Sequence, residues 1–97
     1  MYVKIHKSKD RYIVAICDEN LIGKEISEGD LNLNITARFY KGEKFSEEET
    51  LEKMKNFLNL NIVGKNSIKL ALDSHIIEKK SIITIDNVPH AQVYNLE

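Results

Sequence analysis

The segment Val88-Pro89-His90-Ala91-Gln92 sets the chain's only proline beside one of its three histidines. Histidine alone titrates near neutral pH without help from its surroundings, so His90 is the first candidate for proton transfer. The Pro89 ring fixes its own φ and favours an extended Val88. That would hold the imidazole in one direction, as a general base or a hydrogen-bond clamp requires. Gln92 lies two residues on, and in a strand both side chains share one face. Two directed polar groups on a rigid strand suit recognition of a base edge, a peptide amide or a phosphate. The plain structural alternative is a proline at a strand edge with a surface histidine.

A second mixed segment, Phe39-Tyr40-Lys41-Gly42, falls between a strand and a helix, where binding loops commonly lie. An exposed Tyr40 beside Lys41 would stack on a base or pack on a partner protein. Equally, Phe39 would plug the core, Tyr40 would cover an edge and Gly42 would supply a positive φ. Asp18 ends an apolar run. It or Asp86 could orient His90 in a small hydrolase or transferase, although Asp18-Glu19-Asn20 is also what a turn or cap needs. Cys17 has no lysine, histidine or helix start beside it in sequence, and reads as a buried structural thiol.

Other chemistries find no pattern. One cysteine excludes a disulfide framework and a cysteine-based zinc cluster, and fits a reducing cytoplasm. Asp73, His75, Asp86 and His90 match no metal-ligand spacing. The four glycines, Gly23, Gly29, Gly42 and Gly64, are too scattered for a phosphate loop. No serine nucleophile motif is present. No metal and no cofactor is expected.

These residues must be positioned by one small domain, residues 1–97. An apolar share of 42% with 30% charged residues fits a folded globular chain. No apolar run approaches the ~18 residues that span a bilayer. The net charge of −1 weakens a dedicated nucleic-acid role for the chain as a whole. Locally, however, Lys4, His6, Lys7, Lys9 and Arg11 crowd the first hairpin.

Tyr2 to His6 alternates like a half-buried strand, and Ile13-Val14-Ala15-Ile16-Cys17 reads as a strand covered on both faces; together they predict an antiparallel hairpin. A helical turn precedes Gly23, and Lys24 to Ile26 allows a short strand. Leu31, Leu33 and Ile35 point inward from a further strand, with Asn32 and Asn34 outward. Ser46 with Glu49 forms a capping box that starts a helix with the stripe Leu51, Met54, Phe57 and Leu58. Ile62-Val63 suggests a short strand. Asn66 or Ser67 would cap a second helix with the stripe Ile68, Ala71, Leu72, His75 and Ile76. Ser81 to Ile85, the turn Asp86-Asn87 and Val88 to Tyr94 close the chain. The order predicts an α+β fold, a mixed or antiparallel sheet with two helices packed on one face.

With these landmarks placed, the chain resembles a family of small archaeal proteins known as a domain of unknown function. The matching residues are Ala15-Ile16-Cys17-Asp18-Glu19 with Gly23, Glu28-Gly29-Asp30-Leu31, Phe39-Tyr40-Lys41-Gly42, Ile62-Val63-Gly64 and Ile85 to Val93. They span nearly the whole chain, and the tail is the most specific part. Asn87 departs from the small turn residue expected there. The resemblance implies an archaeal cytoplasmic origin and a tilt towards translation. It brings no activity, cofactor or catalytic set.

The reading is a non-enzymatic binding module that engages RNA or a translation-associated protein. Its face would comprise Phe39, Tyr40, Lys41, Gly42, Pro89, His90 and Gln92, with the basic hairpin giving long-range attraction. It requires the loop after Thr36 and the last strand to lie side by side. The alternative is a small enzyme with His90 as general base and Asp18 as orienting carboxylate.

Overall fold

The computed structural model describes residues 1–94. Its strands are β1 (Tyr2–Ser8), β2 (Arg11–Cys17), β3 (Glu25–Glu28), β4 (Leu31–Asn34), β5 (Glu43–Lys44), β6 (Leu60–Val63), β7 (Ile82–Ile85) and β8 (Val88–Val93). Its helices are α1 (Ala37–Tyr40), α2 (Glu47–Asn56) and α3 (Lys65–Asp73). The architecture is α+β. A six-stranded sheet runs β5-β1-β2-β6-β8-β7, and β3 and β4 pair separately. The large sheet is mixed: β2 and β6 are parallel, and its other neighbours are antiparallel.

Apolar side chains leave the central strands on both sides, as a strand without polar alternation requires. On one face Val3, Val14, Ile16, Leu60, Ile62 and Ala91 pack against Met54 of α2 and Ile68 and Ala71 of α3. On the other, Ala15, Cys17, Val63 and Ile85 meet Leu21, Ile26, Ile35 and Tyr40. The two longer helices therefore share one face, as the sequence predicts. The small sheet and the single turn α1 cover part of the opposite face.

Local signals explain the helix ends. Ser46 Oγ accepts from Glu49 N at 3.1 Å, and Glu49 Oε1 accepts from Ser46 N at 3.0 Å, completing the expected capping box. The helix stops at Asn56, so Phe57 is its cap and Leu58 stays exposed instead of continuing the stripe. Helix α3 begins at Lys65, one to two residues before the predicted caps, because its cap lies elsewhere in the chain. It ends before His75, which is exposed at φ 59 and not on the stripe. Ile76 N donates to Ala71 O and His75 N to Leu72 O, the paired bonds of a left-handed helix stop.

Two further expectations are corrected. Leu31 is 47% exposed, because β4 pairs only with β3 and its first residue overhangs the core; Leu33 is half-buried and Ile35 buried. Pro89 is not at a strand edge, since β8 lies between β6 and β7. It opposes Thr84 on one side, and on the other its carbonyl accepts from Gly64 N at 2.9 Å, where β6 gives way to α3. A residue without an N–H is tolerated where the sheet ends.

The turn that feeds β8 is tight. Asp86 (φ 49) and Asn87 (φ 64) are both left-handed, the pattern of a two-residue hairpin turn whose twist matches its strands. Asn tolerates this region, so the departure at Asn87 keeps the turn.

Candidate functional site

Two depressions are lined by residues that the sequence singles out. The first, about 350 Å³, lies where β2 and β6 end and α3 begins. Asp18, Asn20 and Leu21 line it with Lys65 and Asn66, and the turn Asp86-Asn87 and Pro89 complete it. Asp18 is 5% exposed. Its Oδ1 accepts from Ser67 N at 2.8 Å and Ser67 Oγ at 2.6 Å, and its Oδ2 accepts from Asn66 N at 2.9 Å. This carboxylate is thus the missing cap of α3, delivered across the sheet to amides that a helix start leaves unsatisfied. Gly64 makes the approach possible at φ 111, because a Cβ there would stand 2.7 Å from Asp18 Oδ1. Glu28 Oε1 accepts from Asp86 N at 2.8 Å and ties the small sheet to the same rim. Cys17 is fully buried alongside, and burial, then the Asp18 charge, pushes its thiol up to about 12. It is a structural thiol with no nucleophilic character at neutral pH.

The second depression, about 340 Å³, is shallow and lined by Lys4, His6, Thr36, Arg38 and Phe39. Strand β1 supplies Lys4 and His6 on one face, and α1 sets the rest over them. Thr36 caps α1 by accepting from Phe39 N at 3.2 Å. The His6 and Phe39 rings stack at 4.5 Å with planes 14° apart. His6 Nε2 lies 2.8 Å from Phe39 O, and since a carbonyl only accepts, Nε2 carries the proton. Lys4 Nζ donates to Arg38 O. The lining holds cations and aromatic surface and no carboxylate.

The structure divides the predicted binding residues by depth. Tyr40 is 2% exposed, so it is not the exposed ring; the half-buried Phe39 is. Tyr40 Oη donates to Asn61 Oδ1 at 2.6 Å, and burial raises the phenol to about 12. Asn61 is the register partner of Gln92, so Tyr40 and Gln92 share the sheet face that carries Asn61. Helix α1 itself packs over β1 and β2, with β6 between β2 and the last strand. Lys41 and Gln92 are both exposed. Gly42 does not take a positive φ; a Cβ would run into the backbone carbonyl of Val3, and glycine serves close approach instead. His90 is 6% exposed, not a surface histidine, and its Nδ1 lies 3.0 Å from Ile62 O. That leaves Nδ1 as the donor, and burial pushes the pKa below the usual value. His90 and Asp18 stand at the same end of the sheet, since Val63 pairs with His90 on one side and with Cys17 on the other, yet His90 lines neither depression.

Sequence reasoning passed over Arg38 and Asn61. Arg38 lies on a helical turn too short for periodicity to reveal, and Asn61 sits in a strand whose central place only the pairing shows. Among the described residues, no group of three or more His, Cys, Asp or Glu side chains is placed to hold a metal ion. No helix among them is long and apolar enough to cross a membrane.

The family described as Protein of unknown function (DUF424) has a model that matches residues 6–96. The chain belongs to DUF424. A crystal structure of an uncharacterized conserved protein from Methanopyrus kandleri shares the fold, with a TM-score of 0.79 at 21% identity. The match covers 99% of this chain and 94% of that one. No curated protein matches the chain significantly. The DUF424 match spans all of the site residues discussed except Lys4.

Proposed function

We propose that this DUF424 protein is a binding module of the archaeal cytoplasm that holds single-stranded RNA over the β1–α1 depression. The observation that carries the reading is that depression: Lys4, His6 and Arg38 around the partly accessible ring of Phe39, with no opposing carboxylate in the lining. Cations attract phosphates at long range, and an aromatic face stacks on any base, so the pair recognises single strands with little sequence preference. Lys7, Lys9 and Arg11 extend the positive field to the hairpin tip. Lys41, next to α1 in sequence, adds an exposed charge, and the part-buried Tyr40–Asn61 hydrogen bond ties α1 to the sheet.

A protein of the translation apparatus is the other partner of interest, and the enzyme reading draws no support from this geometry. His90 is deep and lines neither of the two depressions, and all three donors to the Asp18 carboxylate belong to α3.

The test is fluorescence anisotropy with a labelled single-stranded oligoribonucleotide across a salt series, on wild type and on Arg38→Glu/Lys41→Glu. Log affinity should fall linearly with log salt, by ~0.7 per phosphate contacted, and the variant should bind more weakly with a shallower slope. Absent binding, or binding indifferent to both salt and charge reversal, would overturn the RNA reading and turn attention to the protein partner.

A further inference from the structure

The large sheet ends differently on its two sides. At one edge β5 is two residues long and carries Glu43 and Lys44, both exposed, which discourages further pairing. At the other edge β7 reads Ile82-Ile83-Thr84-Ile85, uncharged and β-branched throughout. Its middle is open on both faces: Ile83 is 46% exposed on one, and Thr84 is exposed on the other.

The hairpin turn determines which backbone groups face outward. A two-residue turn makes Ile85–Val88 a hydrogen-bonded pair, and alternation makes Ile83–His90 the next. Thr84 opposite Pro89 is then a non-bonded pair, which agrees with the missing proline N–H. The amide and carbonyl of Thr84 therefore point to the open edge. Their neighbours along that edge are occupied: Ile82 N donates to Lys79 O, and Asp86 N donates to Glu28 Oε1. Between these two caps stands one residue that presents both a donor and an acceptor.

We propose that this edge is a self-pairing surface, through which two copies of the chain join their sheets antiparallel about a two-fold axis at Thr84. A donor and an acceptor on one residue are satisfied reciprocally by the same residue of a second copy. The register sets Ile83 beside the partner's Ile85 on one face, extending the apolar cluster around Ile85 and covering the exposed isoleucine. Charge agrees with the orientation. Lys79 and Lys80 precede the strand, Lys80 already ion-paired with Glu78, while Asp86 and Glu28 stand at its far end, so antiparallel pairing brings Lys79 of each copy towards the acidic end of the other. A contact this short belongs to the weak, concentration-dependent class. It leaves β1 and α1 free at the other side of the sheet.

Sedimentation velocity on the full chain over a rising concentration series should show the mass climbing from 11.2 kDa towards twice that value. Ile83→Lys, which places a charge on an already exposed position, should keep the native circular dichroism and return the protein to monomer. Amide exchange read by NMR supplies a second measure: Thr84 should be protected at high concentration and exchange rapidly on dilution. A wild type that stays monomeric at every concentration overturns the proposal. So does self-association that survives Ile83→Lys while the Thr84 amide keeps exchanging.

Discussion

Asp18 and Gly64 occupy complementary space: the carboxylate lies where a side chain at position 64 would begin. One residue caps a helix from the end of a distant strand, and the other vacates the room it needs.

This relationship makes both positions sensitive. Asp18→Ala strips the bonds to Asn66 and Ser67 and leaves buried amides unpaired, which should cost about 2 kcal/mol or more. Gly64→Ala should cost a comparable amount, roughly 1–3 kcal/mol, through its left-handed φ and its collision with the carboxylate. Urea midpoints read both. A midpoint unchanged in Asp18→Ala would show that α3 does not depend on this cap.

Protonation of His90 opposes folding. Its folded pKa lies below the unfolded value near 6.5 because burial disfavours the cation. The unfolded chain therefore binds the proton more readily, and the stability this residue contributes is full above 6.5 and is lost as pH falls through the folded pKa. Stability measured between neutral pH and the onset of carboxylate titration should drop in wild type and drop less in His90→Gln. Equal slopes would remove His90 from the acid sensitivity.

Thr50 is fully buried in α2, and its Oγ1 finds no hydrogen-bond partner among the described residues. An unpaired buried hydroxyl is a standing cost. Thr50→Val keeps the shape and should raise stability by about 1 kcal/mol, seen as a higher urea midpoint with an unchanged slope. A destabilised variant would mean that the hydroxyl is satisfied in solution.

His75 sits at φ 59 after α3, where glycine is at ease and a Cβ is strained. His75→Gly should stabilise the fold by about 1 kcal/mol, less the added freedom of the unfolded chain. Thermal melts of the pair decide it. Because the side chain is exposed, no packing loss should confuse the comparison.

Local signals were legible where their cause is local. The capping box at Ser46 and Glu49, the first hairpin and the Asp86-Asn87 turn depend on neighbours in sequence, and each stands where periodicity and turn chemistry put it. What sequence withheld depends on partners far along the chain. Asp18 reads as a turn residue until α3 is brought to it. Tyr40 and Phe39 exchange their expected depths because α1 turns them, a helix too short to leave a periodic trace. His90 looks like a surface group until β8 is seen inside the sheet, where Val63 and Ile83 flank it. The segment after Thr36 and the last strand share the sheet face that carries Asn61, but β6 stands between β8 and the strands under α1. The accessible groups of these two segments are Lys41, Gln92 and the neighbouring Phe39.

The parallel pairing of β2 with β6 also has a kinetic side. Val14 must find Leu60 while β3, β4, α1, β5 and α2 are strung between them. The first hairpin closes through a short loop and β7–β8 through a two-residue turn, but β2 can join β6 only when that long loop closes. High contact order of this kind slows folding far more than it lowers equilibrium stability. Lengthening the β4–α1 connection should therefore show in the refolding rate before it shows in the melting point.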